Sequence, residues 1–254
     1  MLKGIDVSKY QGIIDWAKVK ADGVKFAMIR AGYGQNNIDT QFKRNISECN
    51  RLGIPCGVYW FSYALNIEMA KKEAQFCLEA VKPYKLEYPI AFDFEYDSVD
   101  YAKKNGVNIT KAIASSFVTA FCEEIEKAGY FALNYTNIDY LKNYFNDTVN
   151  NRYGLWLAAW VNADKPPKNC YIWQHSSKGS VLGISGDVDM NKSYVDFPKF
   201  LKEKGLNKLN EKWYSSALEW AVANGITDGS EPEEPATRAQ VIVMLKRFHD
   251  KFIK

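Results

Sequence analysis

The chain of 254 residues predicts an α/β fold, an irregular β/α (TIM-like) barrel with a small C-terminal helical domain. Strand-like runs, roughly eight of them, alternate with helix-like runs until the last of these strands, where helices become sparse. Polar residues recur at the C-terminal ends of the strands, where the loops of such a barrel surround one shared cavity. After about residue 196 the composition changes to polar connections and two amphipathic helices, too few for a large independent core.

Each element follows from its local pattern. Residues 4–8 form a short strand ending in a polar turn, and 14–21 a weakly amphipathic helix with Trp16 and Val19 on one side. A strand over 26–33 leads to a helix over 40–52 that Gly53 closes. A third strand covers 54–63, and a third helix over 67–81 stops before Pro83. The strand 88–96 comes next. A long helix over 110–128, again closed by a glycine, precedes a strand over 130–136 and a shorter helix over 138–145. Residues 155–160 and 171–174 are further strands, and 188–190 an eighth.

Composition narrows the function classes. A net charge of +3 is too small to argue for nucleic acid. Aromatic residues make up 15% of the chain, enough to line a groove as well as fill a core, and sugar rings stack on such faces. The five cysteines lack any Cys-x-x-Cys pair and read as small core residues of a chain made in a reducing compartment. No apolar run has membrane-spanning length, so no membrane insertion is expected. The N-terminus enters a strand directly, without the charged and apolar regions of a signal peptide.

The chemistry concentrates in Tyr88-Pro89-Ile90-Ala91-Phe92-Asp93-Phe94-Glu95-Tyr96. Side chains two apart on a strand share a face, so Asp93 and Glu95 share a site. Buried between Phe92, Phe94 and Tyr96, two carboxyls cannot both ionise cheaply, and one keeps its proton toward neutral pH. A protonated acid beside an ionised one is the equipment for cleaving a glycosidic bond. The bland alternative is a strand end whose acids are solvated or paired with lysine. Asp6, Arg30, Tyr63, Tyr135, Trp160, Gln174 and Asp189 also fall near strand ends. Each has a packing explanation by itself, and their recurrence is the signal.

The ordered motifs Gly4-Ile5-Asp6-Val7-Ser8-Lys9-Tyr10-Gln11-Gly12, Ile29-Arg30-Ala31-Gly32-Tyr33-Gly34, Asp93-Phe94-Glu95, Trp173-Gln174-His175-Ser176 and Asp187-Val188-Asp189-Met190-Asn191 resemble those of the glycoside hydrolase family 25 lysozymes. The resemblance covers about residues 1–196. It implies a distorted β/α barrel and an N-acetylmuramidase that cuts the β-1,4 bond between N-acetylmuramic acid and N-acetylglucosamine in peptidoglycan. It implies Glu95 as general acid, with Asp6, Asp93 and Asp189 as the other active-site carboxylates. Arg30, Tyr63, Tyr135, Trp160 and Gln174 are candidates for holding substrate, whereas Trp156 reads as core. His175 stands where the family commonly has tyrosine, and it lacks metal-ligand spacing, so neither metal nor cofactor is expected. A chitinase-like barrel also ends a strand with Asp-x-Glu, but its pattern asks for acids where Tyr88 and Ala91 stand. A barrel that binds wall carbohydrate without catalysis is the alternative from another class.

The organisation expected is a catalytic domain at 1–196, a linker at 197–208 and a helical domain at 209–254. Helices are expected from Trp213 to the stop at Gly225, and from Ala236-Thr237-Arg238-Ala239-Gln240 to about Phe252. They resemble one S-layer homology repeat, a family that binds secondary wall polymers and commonly packs several copies together. A lone copy leaves an apolar face formed by Trp213, Leu218, Trp220, Val222, Val241, Met244, Leu245 and Phe248, which self-association would cover. Muramidase, wall-binding tail and no signal peptide together read as a phage endolysin made in the host cytoplasm, acting on the cell wall after release. A bacterial autolysin would share these features.

Overall fold

The computed structural model describes residues 1–207, 215–230, 232 and 234–253. The chain divides into two units, Met1–Leu209 and Asn210–Lys254. In the first, the strands in chain order are β1 (Leu2–Val7), β2 (Phe26–Tyr33), β3 (Asn37–Ile38), β4 (Cys56–Phe61), β5 (Ile90–Asp93), β6 (Ala132–Asn137), β7 (Gly154–Ala158), β8 (Ile172–Gly179) and β9 (Val188–Ser193). All but β3 close into an eight-stranded barrel, since the order β1-β9-β8-β7-β6-β5-β4-β2 returns through a β1–β2 pairing. From β1 round to β8 the pairs are parallel, while β9 runs antiparallel to both its neighbours. The connection 180–187 is too short for the crossover that a parallel pair needs, which is why the expected irregularity falls there.

Helices cover the outside of the barrel, α1 (Trp16–Ala21), α2 (Phe42–Leu52), α3 (Ile67–Val81), α4 (Tyr96–Lys104), α5 (Lys111–Lys127), α6 (Ile138–Asn143) and α7 (Asp147–Arg152), while α8 (Phe197–Lys204) packs against the inner cluster at its bottom. Sequence reading did not anticipate α4 or α7. In α4 the buried positions are only Ser98 and Ala102, so no apolar stripe announces it. The six-residue α7 depends on its Asn146 cap, which accepts from the Val149 amide at 3.0 Å. The expected stop of α2 is present, with Gly53 left-handed at φ 64°.

Both faces of the strands are buried, which explains their near-continuous apolar runs. On β2, Ala27, Ile29 and Ala31 pack outward in the layer between barrel and helices. Phe26 and Met28 pack inward with Tyr88, Leu133, Trp156 and Ile172. Phe26 and Tyr88 stack at 4.4 Å, and Tyr88 meets Phe197 at 5.0 Å. Gly4 makes room for this plug, because a Cβ there would fall 2.2 Å from the Phe26 ring. With the interior filled by large side chains, open space is left for chemistry at the other end.

The expected linker 197–208 is not one as far as Asn207, the last described residue in it. Phe197 and Leu201 of α8 are buried within the inner cluster. Asn207 Oδ1 accepts from the Phe131 amide at 2.8 Å, and its Nδ2 donates to the Tyr88 carbonyl at 2.9 Å. Charged residues at Lys199, Lys202, Glu203 and Lys204 disguise a short amphipathic helix as a polar connection.

In the second unit, α9 (Ser215–Ala223) and α10 (Arg238–Phe252) are the helices among the described residues. Trp213 lies outside those residues. Thr237 caps α10 reciprocally with Gln240, at 3.2 and 2.8 Å. Trp220 packs on Phe252 at 5.5 Å, yet Trp220, Val222, Val241, Leu245 and Phe248 remain exposed. No described helix is long and apolar enough to cross a membrane.

Candidate active site

Strand β5 places Asp93 at its C-terminal end, beside Phe61 of β4 and Tyr135 of β6. Glu95 lies beyond the strand as the N-cap of α4, where its amide donates to Ser98 Oγ at 3.1 Å. Its backbone is still extended, with φ −128° and ψ −169°, so alternation continues and its carboxyl joins that of Asp93. One expectation needs correction. Phe92 and Phe94 do not enclose the acids but point away, against Phe121 and Phe117 of α5, and Tyr96 is exposed. Burial of the acids comes from the barrel mouth itself.

That mouth is a pocket of about 240 Å³ lined by Asp6, Asp93, Glu95, Asp189, Arg30, Tyr59, Tyr135, Trp156 and Gln174 among others. Four carboxyls gather there in two pairs. Burial, then the Glu95 charge, hold Asp93 well above the usual carboxylate range. Burial pushes Glu95 up to about 7, with a hydrogen bond shared with Asp93 lowering it and the Asp189 charge raising it. The buried Asp93 Oδ1 has no hydrogen-bond partner among the described residues. Asp6 and Asp189 stand opposite each other in the β1–β9 register. Burial and the Asp189 charge raise Asp6, and burial raises Asp189 while a hydrogen bond with Asp6 lowers it. Burial thus raises all four carboxyls, so each pair gives up its protons at higher pH than isolated carboxyls do.

Around the acids the polar groups are mutually fixed. Asp6 Oδ2 accepts from Gln174 Nε2 at 2.9 Å and Asn191 Nδ2 at 2.7 Å. Arg30 Nε donates to Asp39 Oδ2 at 2.8 Å, and its guanidinium lies 5.1 Å from the Tyr10 ring and 5.7 Å from that of Tyr33. Asp39 also accepts from the Lys9 and Gln41 amides, tying the loop after β1 to that after β3.

Of the residues named from sequence, Asp6, Arg30, Asp93, Glu95, Tyr135, Gln174 and Asp189 meet in this pocket. Trp160 does not line it. It stands at the rim, 62% exposed, with Nε1 donating to Gln174 Oε1 at 3.2 Å. Tyr63 lines a separate cavity with Tyr33 and Tyr101. Trp156 is buried as expected, though it also floors the pocket. Sequence reading missed Tyr59, Asp39 and the part played by Asn191. Asn191 was detectable two positions beyond Asp189, on the same face of β9. Tyr59 pairs with Arg30 across β2 and β4, a register that local sequence does not show. Among the described residues, no group of His, Cys, Asp and Glu is arranged to hold a metal.

A mixed β/α barrel with paired carboxyls at the mouth has the form of a glycoside hydrolase. The chain belongs to the glycosyl hydrolases family 25, whose family model matches residues 5–184. Lysozyme M1 of Streptomyces globisporus is 28% identical over 205 residues, covering 75% of this chain and 67% of that protein. The modular autolysin LytC of Streptococcus pneumoniae, solved in complex with a synthetic peptidoglycan ligand, is 30% identical with a TM-score of 0.66. That match covers 75% of this chain and 46% of LytC, so this chain spans about half its length. A family 25 glycosyl hydrolase from Bacillus anthracis shares the fold at a TM-score of 0.67 and 24% identity, over 80% of this chain and 93% of that one.

Proposed function

We propose that the protein is a peptidoglycan hydrolase that cleaves the β-1,4 bond between N-acetylmuramic acid and N-acetylglucosamine. The observation that carries this reading is the Asp93/Glu95 pair, which retains a proton near neutral pH at the open end of a barrel. Family membership and the peptidoglycan ligand of LytC supply the substrate class. Glu95, nearer the solvent than Asp93, delivers the proton to the leaving oxygen, and Asp93 holds that proton in reserve. Asp6 and Asp189 set negative charge opposite, where positive charge develops on the sugar ring. Arg30, Tyr135 and Gln174 orient the substrate. Mass spectrometry of digested walls tests the reading. New reducing ends at muramic acid support it, ends at glucosamine assign a glucosaminidase, and no cleavage assigns a carbohydrate-binding protein.

The finer reading is a phage endolysin that lyses a Gram-positive host, with residues 209–254 holding a secondary wall polymer and bringing copies of the chain together. Its support is the S-layer-homology-like sequence and the apolar residues exposed on α9 and α10. Self-association of several weak binders raises effective concentration at the wall. Sedimentation of the full chain tests it, since a monomer removes the assembly. Expression during phage infection, rather than during cell division, separates endolysin from autolysin.

A further inference from the structure

Two turns of the barrel meet over one buried acid that the chemistry does not use. Glu73 of α3 is fully buried, and its Oε1 accepts from the Tyr63 amide at 2.9 Å and from Gln35 Nε2 at 3.4 Å. Its other oxygen has no hydrogen-bond partner among the described residues. No cation answers it: burial pushes the carboxyl up to about 7, and only hydrogen bonds pull against that rise. An acid buried without a cation is costly, and an apolar side chain of similar volume would fill the site with less penalty. What the oxygen holds must explain its place.

The bonds lead from Glu73 to the acid pair. Strand β4 ends at Phe61 and β5 at Asp93, which stand opposite each other in the register. Past that end the pairing continues by one bond, in which the Ser62 amide donates to the Asp93 carbonyl at 2.7 Å. That carbonyl belongs to the peptide that carries the chain from Asp93 toward Glu95. The next amide in the turn, that of Tyr63, is the one Glu73 holds. Successive amides are thus bound by the catalytic strand and by α3. Ser62 is itself buried, and its Oγ accepts from the Ala64 amide at 3.2 Å, which closes the turn. Gln35 Nε2 also reaches the Met69 carbonyl at 3.4 Å, tying the turn after β2 to the same helix.

We propose that Glu73 is a positioning residue for the acid pair: its carboxyl grips the Tyr63 amide and, through the adjoining Ser62 amide, fixes the Asp93 carbonyl from which Asp93 and Glu95 take their directions. The inference rests on the peptidoglycan-hydrolase reading and adds to it a residue that touches no substrate. A carboxyl oxygen accepts in both the neutral and the ionised state, so the grip persists as Glu73 titrates. Without that acceptor the Tyr63 amide loses its partner, and the turn shifts to find another, drawing the Asp93 carbonyl with it. A displacement of about 1 Å at reacting groups costs up to about 10²-fold in rate.

The test compares Glu73→Leu, which keeps the volume and removes the acceptor, with Glu73→Gln, which keeps the acceptor and removes the charge. Both are assayed with the parent on soluble wall fragments, with melting curves to confirm folding, and Glu73→Met gives the acceptor-free comparison should Glu73→Leu not fold. The acceptor-free variant is expected to lose about tenfold or more in kcat with KM nearly unchanged, while Glu73→Gln stays within about threefold of the parent. A folded acceptor-free variant with the parent kcat overturns the positioning role, as does a change confined to KM or a Glu73→Gln that falls as far as Glu73→Leu. A parent that cleaves no fragment overturns the hydrolase reading and this one with it.

Discussion

Gln174 and Asp6, 168 residues apart in sequence, meet at 2.9 Å, and the other end of the Gln174 amide dictates how they meet. Its Oε1 accepts from Tyr135 Oη at 3.1 Å and Trp160 Nε1 at 3.2 Å, so the nitrogen must face Asp6. Asn191 repeats the device. Its Oδ1 accepts from Trp156 Nε1 at 2.8 Å, and its Nδ2 donates to the same Asp6 oxygen. Donor-only indoles thus fix both amides, and both amides direct their donors at one carboxylate oxygen.

Asn191→Ala removes one of those donors and leaves the buried Trp156 Nε1 unpaired. Loss of the bond moves Asp6 further toward its neutral form, because this bond favours the ionised one. Stability is expected to fall by about 1–3 kcal/mol and activity by more than the stability loss explains. Urea unfolding beside wall-clearing rates checks both, and wild-type activity in a folded variant removes Asn191 from the site's support.

Glu95→Gln keeps the shape of the side chain but cannot donate a proton to the leaving oxygen. Activity is expected to fall by about 10²- to 10⁴-fold with the melting temperature nearly unchanged. A purified variant that clears walls at more than a third of the parent rate takes the acid's role from Glu95.

The pH profile separates the neighbours of Glu95. With Glu95 near 7, activity is expected to decline as pH rises through neutrality, because the proton needed for the leaving group is lost. The Asp189 charge raises Glu95, so Asp189→Asn lets it ionise earlier and moves that high-pH limb downward. Asp93 contributes a hydrogen bond that lowers Glu95, so Asp93→Asn should not produce the same downward movement. Equal shifts in both variants contradict this division.

What was legible in the sequence had a short period. Alternation along β2 puts Arg30 on the face of Met28 and Phe26, and alternation beyond β5 carries Glu95 onto the Asp93 face although the strand ends at Asp93. Tyr63 lies outside the acid pocket because the chain leaves β4 at Phe61 and turns, taking the ring into the neighbouring cavity. Tyr59 lies inside the apolar run Val58-Tyr59-Trp60, where only the pairing with Arg30 reveals its direction. Glu73 had no signal, since an acid in the middle of a helix ordinarily faces water. Contacts between strands distant in sequence supply what local period cannot.

Glu73 predicts a pH effect on stability distinct from catalysis. Burial pushes its carboxyl up to about 7, above its ordinary value, so its favourable contribution is complete below the unfolded pKa. That contribution is lost as pH rises through about 7. Between pH 5 and 8 the parent should lose more stability than Glu73→Gln, by at most about 3 kcal/mol. Urea unfolding of both proteins at the two pH values provides the comparison, and parallel losses mean Glu73 titrates as an ordinary surface acid.

The end of the catalytic unit can be located by truncation, and the packing of α8 fixes the outcome. A chain ending at Asp196 loses Phe197 and Leu201 from the inner cluster and the Asn207 bonds to Phe131 and Tyr88. Burial of each apolar side chain is worth about 1.5–3 kcal/mol, comparable to a sizeable part of a domain's whole stability. That chain is expected to melt well below the parent or to aggregate through the exposed barrel bottom. A chain ending at Leu209 keeps α8 and Asn207, and should retain the melting temperature of the catalytic unit and its activity on soluble wall fragments. Thermal melts of the two truncated chains decide the matter: equal stability at both end points returns residues 197–207 to the status of a linker.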